Sequence, residues 1–307
     1  MKFSKYIKPM LAKSGGQPFD SEDWLFEIKL DGYRAIAEVN NDKVRLYSRN
    51  GLDFSNNYPT VFEALKKLRT DAIFDGEIVA LDNNNHTSFQ QLQHVSDDPT
   101  IAVHYYIFDL LEYNGDDIRK LPLIERKKIL QKLLKKNNQI RYSDHIEKDG
   151  KDFFKLIKKQ NLEGMIAKRS SSTYQSEKRN GDWLKVKYHH EQEAVIAGFT
   201  APKGGRKFFG ALLLAVYEKG KLKYAGNVGS GFDDKTLKEL HEKMQPLIIE
   251  ESPFSQKIPG LTSITWIKPK LVANIKFTEW TENESMRHPV FLGLRIDKNA
   301  KEVIKEK

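Results

Sequence analysis

Four short runs between Trp24 and Leu81 alternate apolar and polar residues with the two-residue period of a half-buried strand: WLFEIKL, YRAIAEV, KVRLYS and AIFDGEIVAL. A turn signal at Asn40-Asn41-Asp42 separates the second run from the third. This pattern predicts an antiparallel sheet. The apolar run IAVHYYIFDLL follows, then apolar residues at helical spacing from Ile124 to Leu134. Residues 152–160 read as a short amphipathic helix, and EGMIAK and DWLKVK as two strands around the polar loop SSSTYQSEKRNGD. Sheet and helix mix without regular βαβ alternation, which predicts an α+β fold.

At 307 residues the chain exceeds the usual single domain, so two compact units are expected. The polar segment KYHHEQE sets the boundary, giving units over 1–189 and 190–307. Beyond it EAVIAGF, ALLLAVYE and KLKYAGNVG are short strands between Gly- and Lys-rich turns, with a helix around Lys235 to Met244. A small closed or half-closed β-barrel is the expectation for this second unit.

No stretch approaches the roughly 20 apolar residues that a membrane span needs, and the opening MKFSKYIKPMLAK lacks the apolar centre of a signal peptide. A cytoplasmic protein with no membrane partner is expected. The absence of cysteine excludes disulfides and thiolate metal sites, and the histidines show no zinc spacing. Any metal is therefore expected to be a hard ion on carboxylates. Lys plus Arg number 51 against 42 Asp plus Glu, a net +9 that favours polyanionic partners. Nucleic acid, anionic membrane and a merely soluble surface all satisfy that charge.

The sharpest chemical signal is Glu27-Ile28-Lys29-Leu30-Asp31-Gly32-Tyr33-Arg34, a strand running into a glycine turn and a second strand. A lysine at a strand end is held by the sheet while its amine projects beyond it, as a fixed nucleophile requires. Its ordinary pKa of about 10.4 demands a neighbouring cation or desolvation before it attacks, and Arg34 and the later lysines supply a field. Taken alone, K-x-D-G-x-R is also compatible with a surface lysine in a hairpin. In WLKVK, alternation puts Trp183, Lys185 and Lys187 on one face. Paired ammonium groups suit a phosphate site; lysines guarding an edge strand are the alternative. Strict alternation from Glu163 puts Lys168 on the opposite face, unless Gly164 breaks the parity.

EIKLDGYR resembles the first motif of the covalent nucleotidyltransferases, the superfamily of ATP- and NAD-dependent ligases and mRNA capping enzymes. YSRNG at Tyr47 to Gly51, FDGEIV at Phe74 to Val79, YYIFDLL at Tyr105 to Leu111, EGMIAKR at Glu163 to Arg169 and WLKVK at Trp183 to Lys187 resemble the later motifs in order. KYAGNVGSGF at Lys223 to Phe232 and SMRHPVFLGLRIDK at Ser285 to Lys298 resemble the ligase module of bacterial ligase D, an ATP-dependent DNA ligase of end-joining repair.

The resemblance implies an antiparallel-sheet nucleotidyltransferase (adenylation) domain followed by a C-terminal OB-fold barrel. It implies Lys29 as the nucleophile that becomes lysyl-AMP, with Asp31 assisting its orientation or DNA contact, and Lys185 and Lys187 neutralising charge. ATP is the implied cofactor, with Mg²⁺, replaceable by Mn²⁺, on Glu77 and Glu163. Glu27 is implied at the adenine amino group, Arg34 and Arg49 at ribose or phosphate, and Lys168 in the same pocket. Phe108 is implied to stack on the base, although an apolar strand position equally suits core packing. Arg295 and Lys298 are implied to face the leaving pyrophosphate. Nicked duplex DNA, the end-binding protein Ku and polymerase and nuclease repair modules are the implied partners of a monomer acting at the bacterial nucleoid. An RNA ligase or GTP-using capping guanylyltransferase is the rival within the superfamily. A non-catalytic DNA-binding platform is the rival outside it.

Overall fold

The computed structural model describes residues 6–41, 43–82, 85–134, 137–188, 190–202, 204–255, 258 and 263–306. Asp42 of the expected turn and His189 at the expected boundary lie outside the described residues. The chain divides into two compact units, Met1–Tyr188 and His189–Lys307.

The first unit holds β1 (Lys13–Ser14), β2 (Ser21–Ile28), β3 (Tyr33–Asn40), β4 (Lys43–Ser48), α1 (Pro59–Lys66), β5 (Asp71–Ala80), α2 (Phe89–Gln93) and β6 (Val103–Tyr113). It continues with β7 (Asp116–Asp117), α3 (Leu123–Leu133), β8 (Ile140–Tyr142), β9 (Ile146–Lys148), α4 (Gly150–Lys159), β10 (Gly164–Arg169) and β11 (Trp183–Lys187). These strands form two sheets, ordered β1-β11-β10-β2-β9 and β4-β3-β5-β6-β7, with β8 also on β6. The expected antiparallel pairing holds except at two short edges, where β1 meets β11 and β8 meets β6 in parallel. Both edge strands arrive after long excursions of chain, so no hairpin dictates their direction.

Strand alternation gives each sheet one apolar face and one polar face. In the first sheet Phe26, Met165, Ala167 and Val186 pack on Phe154 and Ile157 of α4. Their neighbours Glu27, Lys168, Trp183, Lys185 and Lys187 fall on the opposite face, because Ile166 lies across from both Glu27 and Lys185 in the register. In the second sheet Ala35, Ala37, Phe74 and Ile78 pack on Val61 and Leu65 of α1. Arg34, Ile36, Asp75 and Glu77 point the other way. A small cluster of Met10, Ile36, Tyr47, Ile73, Phe108, Leu111, Tyr174 and Trp183 draws on both sheets, so these two faces pack toward each other.

The second unit comprises β12 (His190–Thr200), β13 (Leu212–Glu218), β14 (Lys221–Val228), α5 (Asp234–Met244), β15 (Ile248–Ile249), β16 (Ile264–Ile267), β17 (Val272–Phe277) and β18 (Val290–Leu294). Along one edge, β12 pairs with β17 over 190–195 and with β16 over 198–200. On its other edge a bulge between Ile196 and Gly198 interrupts the pairing with β13. A bulge bends and twists a strand, which lets one strand serve two directions of a curling sheet. Backbone bonds from Met286 to Ala225 (2.8 Å) and from Phe291 to Ser230 (3.0 Å) tie the far edge back toward β14. The result is a half-closed barrel of the OB type, capped by α5, whose N-terminus is held by Asp233 accepting from the Thr236 amide at 2.7 Å. Among the described residues no helix is long and apolar enough to cross a membrane.

Candidate active site

The site is built where β2 ends. The Lys29 amide donates to the Gly164 carbonyl at 2.9 Å, which pins the residue after β2 to the first residue of β10. Its ammonium is ion-paired with Glu163; the lysine side chain is 22% exposed and the carboxylate 6%. Gly164 has φ +157, and a Cβ there would lie 2.3 Å from the Val186 carbonyl oxygen. The strand therefore starts at Gly164, and Glu163 stands outside its alternation. That break removes the parity conflict between Glu163 and Lys168. Lys187 is the register partner of Gly164 and Lys185 that of Ile166, so both half-buried lysines line the same strand pair.

The turn after Lys29 is pressed against the second sheet. The Asp31 amide donates to Thr87 Oγ1 at 3.3 Å, and a Cβ on Gly32 would fall 2.1 Å from the Ile78 carbonyl oxygen of β5. A glycine is what allows the two sheets to meet at this point. Asp31 itself is half-buried.

Behind the turn, Glu27 accepts from Lys127 Nζ at 2.6 Å and from Lys168 Nζ at 2.8 Å. Burial works against its charge, but the two ammonium groups prevail and hold the carboxyl below its ordinary pKa. Burial and the neighbouring Lys127 outweigh the pull of Glu27 on Lys168 and lower that amine to about 8. The Lys168 ammonium stands 4.0 Å from the Phe108 ring centroid and 4.4 Å from that of Trp183. Phe108 thus belongs to the inter-sheet cluster and also forms the floor beneath a cation.

On the facing sheet, Arg34 is held by Asp75 through two bonds of 2.5 and 2.6 Å and donates to the Met10 carbonyl at 3.2 Å. Tyr174 donates to the same carboxylate at 2.6 Å. The guanidinium lies 4.6 Å from the Phe108 centroid. Two of its nitrogens, Nε and one terminal nitrogen, are thus engaged within the protein. Glu77, half-buried on β5, is the register partner of Arg34 on β3. Arg49 occupies the turn Ser48–Gly51, closed by the Gly51 amide on the Ser48 carbonyl at 2.9 Å; Gly51 adopts φ +82 there. Glu163 Oε2 and Trp183 Nε1 are buried without a hydrogen-bond partner among the described residues. Buried polar atoms are ordinarily satisfied, so both depart from the usual pattern.

Residues 9–187 match the family model of the ATP dependent DNA ligase domain, and residues 205–298 that of the ATP dependent DNA ligase C terminal region. The chain belongs to the ATP-dependent DNA ligases. It is 38% identical over 312 aligned residues to the multifunctional non-homologous end joining protein LigD of Pseudomonas aeruginosa, covering 99% of this chain and 37% of that protein. Against the corresponding LigD of Mycobacterium tuberculosis it is 36% identical over 305 residues, covering 98% and 40%. The structure of mycobacterial DNA ligase D complexed with ATP and MES matches with a TM-score of 0.74 at 35% identity, covering 98% of both chains. The ligase spans less than half the length of the curated relatives it matches.

In the second unit of this ligase, Arg295 donates to both oxygens of Asp297, at 3.0 and 2.9 Å, and Lys298 pairs with Glu193 at 2.7 Å. Both cations expected at pyrophosphate are thus paired with carboxylates of their own unit, with further N–H donors on each group.

Three further ligase residues bonded within this network were not among the sequence candidates: Asp75, Lys127 and Tyr174. Lys127 left a signal. In α3 the buried positions are Leu123, Arg126, Lys127 and Leu130, the spacing of an apolar helix stripe with two cations inside it. Asp75 lies in the FDGEIV segment beside Glu77, on an inward strand position, but nothing local names its partner 41 residues away.

Proposed function

We propose that this chain seals 3′-hydroxyl/5′-phosphate nicks in duplex DNA through a lysyl-AMP intermediate on Lys29, and that it serves double-strand break repair by non-homologous end joining. The observation that carries the reading is the Lys29 ammonium, fixed at a strand end and ion-paired with Glu163 beside the lysine-bearing strand β11. An amine so placed is neither buried in apolar packing nor loose in solvent. Kinship with LigD proteins of non-homologous end joining supports the repair context.

In this reading Lys29 loses its proton and its nitrogen bonds the α-phosphorus of ATP, expelling pyrophosphate. Lys185 and Lys187 meet the charge that develops on the phosphates. The AMP then passes to the 5′-phosphate of a nick, and the 3′-hydroxyl displaces AMP to form the phosphodiester. Holding the reactants in line supplies most of the acceleration. Glu27 accepts from the adenine amino group, Phe108 stacks on the base with Lys168 in the same pocket, and Arg34 and Arg49 meet the ribose or phosphates. Asp31 orients the turn that carries Lys29. Arg295 and Lys298 meet the leaving pyrophosphate.

Glu77 and Glu163 are the residues that would hold Mg²⁺. The orphaned Glu163 Oε2 and an all-oxygen donor set suit a hard ion. When bound, it supplies Lewis-acid neutralisation of phosphate charge. The net +9 charge serves sequence-independent grip on duplex phosphates, and Ku with polymerase and nuclease modules are the proposed partners in a bacterial cytoplasm.

Labelling with α-³²P-ATP and Mg²⁺ tests the reading. Wild type should acquire one AMP and Lys29→Ala none, and the labelled protein should seal nicked plasmid DNA in preference to nicked RNA. Equal labelling by GTP, or no labelling at all, would overturn it.

A further inference from the structure

Glu27 sits at the centre of an ion cluster whose three side chains are each at most 2% exposed. Lys168 reaches it from the adjoining strand, as the register alone allows. Lys127 comes from α3, 100 residues further along the chain. The Lys127 ammonium also has acceptors in the Ser143 carbonyl at 3.1 Å and the Phe108 carbonyl at 3.4 Å, and it lies 4.7 Å from the Tyr142 ring centroid. All three of its protons therefore have an acceptor. Stability is a poor reason for such a group, because a buried ion pair gains little over apolar side chains of the same volume. Neutralising Glu27 is not a sufficient reason either, since Lys168 does that by itself. What the second ammonium adds is direction: each carboxylate oxygen is tied from a different side, so the group cannot rotate.

We propose that Lys127 is a positioning residue for base recognition, holding the Glu27 carboxylate oriented so that its remaining lone pairs meet an amino group on the incoming nucleotide. This rests on the lysyl-AMP reading above. An ionised carboxylate offers about four lone-pair sites, of which the two lysines take two. What remains can accept and cannot donate. The 6-amino group of adenine is a donor and fits; the 6-oxo group of hypoxanthine or guanine is an acceptor and is repelled. A carboxyl group that protonates or swings free loses that distinction, because a carboxylic acid donates to a carbonyl. Lys127 touches no nucleotide in this scheme and acts through Glu27.

The experiment measures lysyl-AMP or lysyl-IMP formation with ATP and ITP, resolving KM from kcat, for wild type, Lys127→Met, Lys127→Gln and Lys127→Arg. Lys127→Met should raise KM for ATP about tenfold, the scale of one charge-assisted hydrogen bond, with kcat within about threefold of wild type. KM for ITP should stay level or fall, so the preference for ATP collapses. Lys127→Arg, which keeps the charge, should retain most of that preference. Combined with Glu27→Gln, Lys127→Met should add no further loss. An equal penalty on ATP and ITP, or a lowered melting temperature with the preference intact, would reduce Lys127 to packing and overturn the proposal. If Lys127→Met does not fold, Lys127→Gln decides by the same ratio. Failure of wild type to form any adduct would instead overturn the lysyl-AMP reading.

Discussion

Lys29 and Glu163 form an ion pair through their side chains, and the Lys29 amide donates to the carbonyl of Gly164, the residue after Glu163. The nucleophile is thus held at its backbone and at its tip by one short stretch of chain. Removing the tip contact leaves the amine free to sample rotamers, and misplacement of a reacting atom by about 1 Å costs on the order of a hundredfold in rate. Glu163→Ala should slow AMP transfer to Lys29 by about that factor at saturating ATP. Lys29→Arg should form no adduct, because a guanidinium does not give up its proton. Both outcomes are read by gel after labelling with radioactive ATP.

Arg126 and Asp109 are both completely buried and share two bonds of 2.7 and 2.8 Å, while Arg126 also donates to the carbonyls of Leu121 and Ser172. Truncating one partner strands the other charge. Asp109→Ala should destabilise the first unit by about 3–5 kcal/mol, measured as a lowered urea midpoint. Asp109→Leu with Arg126→Met should recover much of that loss, since no charge is left behind. An additive result from the pair would show that the two residues act separately.

Gly32 has no room for a methyl group, because the Ile78 carbonyl oxygen would stand 2.1 Å from it. Gly32→Ala must therefore push the turn away from β5 and carry Lys29 with it. Adduct formation should fall at least about tenfold while the protein stays folded. Unchanged kinetics in this variant would mean that the turn adapts without moving the nucleophile.

Lys168 should give nucleotide binding an alkaline limit. Burial, reinforced by Lys127 and opposed by Glu27 and Asp109, brings its amine down to about 8. As pH rises through that value the cation over Phe108 and Trp183 is lost. In a Lys29→Met background that cannot form the adduct, ATP binding should weaken across this range, and Lys168→Met should flatten the profile. Stability runs the other way. Between about 8 and the ordinary 10.5 the unfolded chain binds the extra proton, so this group makes the fold more stable as pH rises through that window.

Elements whose cause is local were legible in the sequence. Period-two runs marked β2 to β5, a continuous apolar run marked β6, and helical spacing marked α3, α4 and α5 to within two residues. Alternation in WLKVK separated Trp183, Lys185 and Lys187 from Leu184 and Val186, and the two sets do fall on different faces. The short helices α1 and α2 and the strands β16 to β18 were not read. Their few apolar positions carry little periodicity, and they are stabilised by the cores they pack against.

What the sequence by itself determined, then, was which residues share a strand face or a helix stripe, and through the order of its motifs the family of the chain. Which charges are matched with which was decided only by the tertiary structure. Asp75 takes Arg34 from 41 residues away, Lys127 reaches Glu27 across 100, and Lys168 reaches it across 141. The reason is physical: covalent geometry sets side-chain direction over a few residues, whereas the partner of a buried charge is whatever the packed layers bring within about 3 Å.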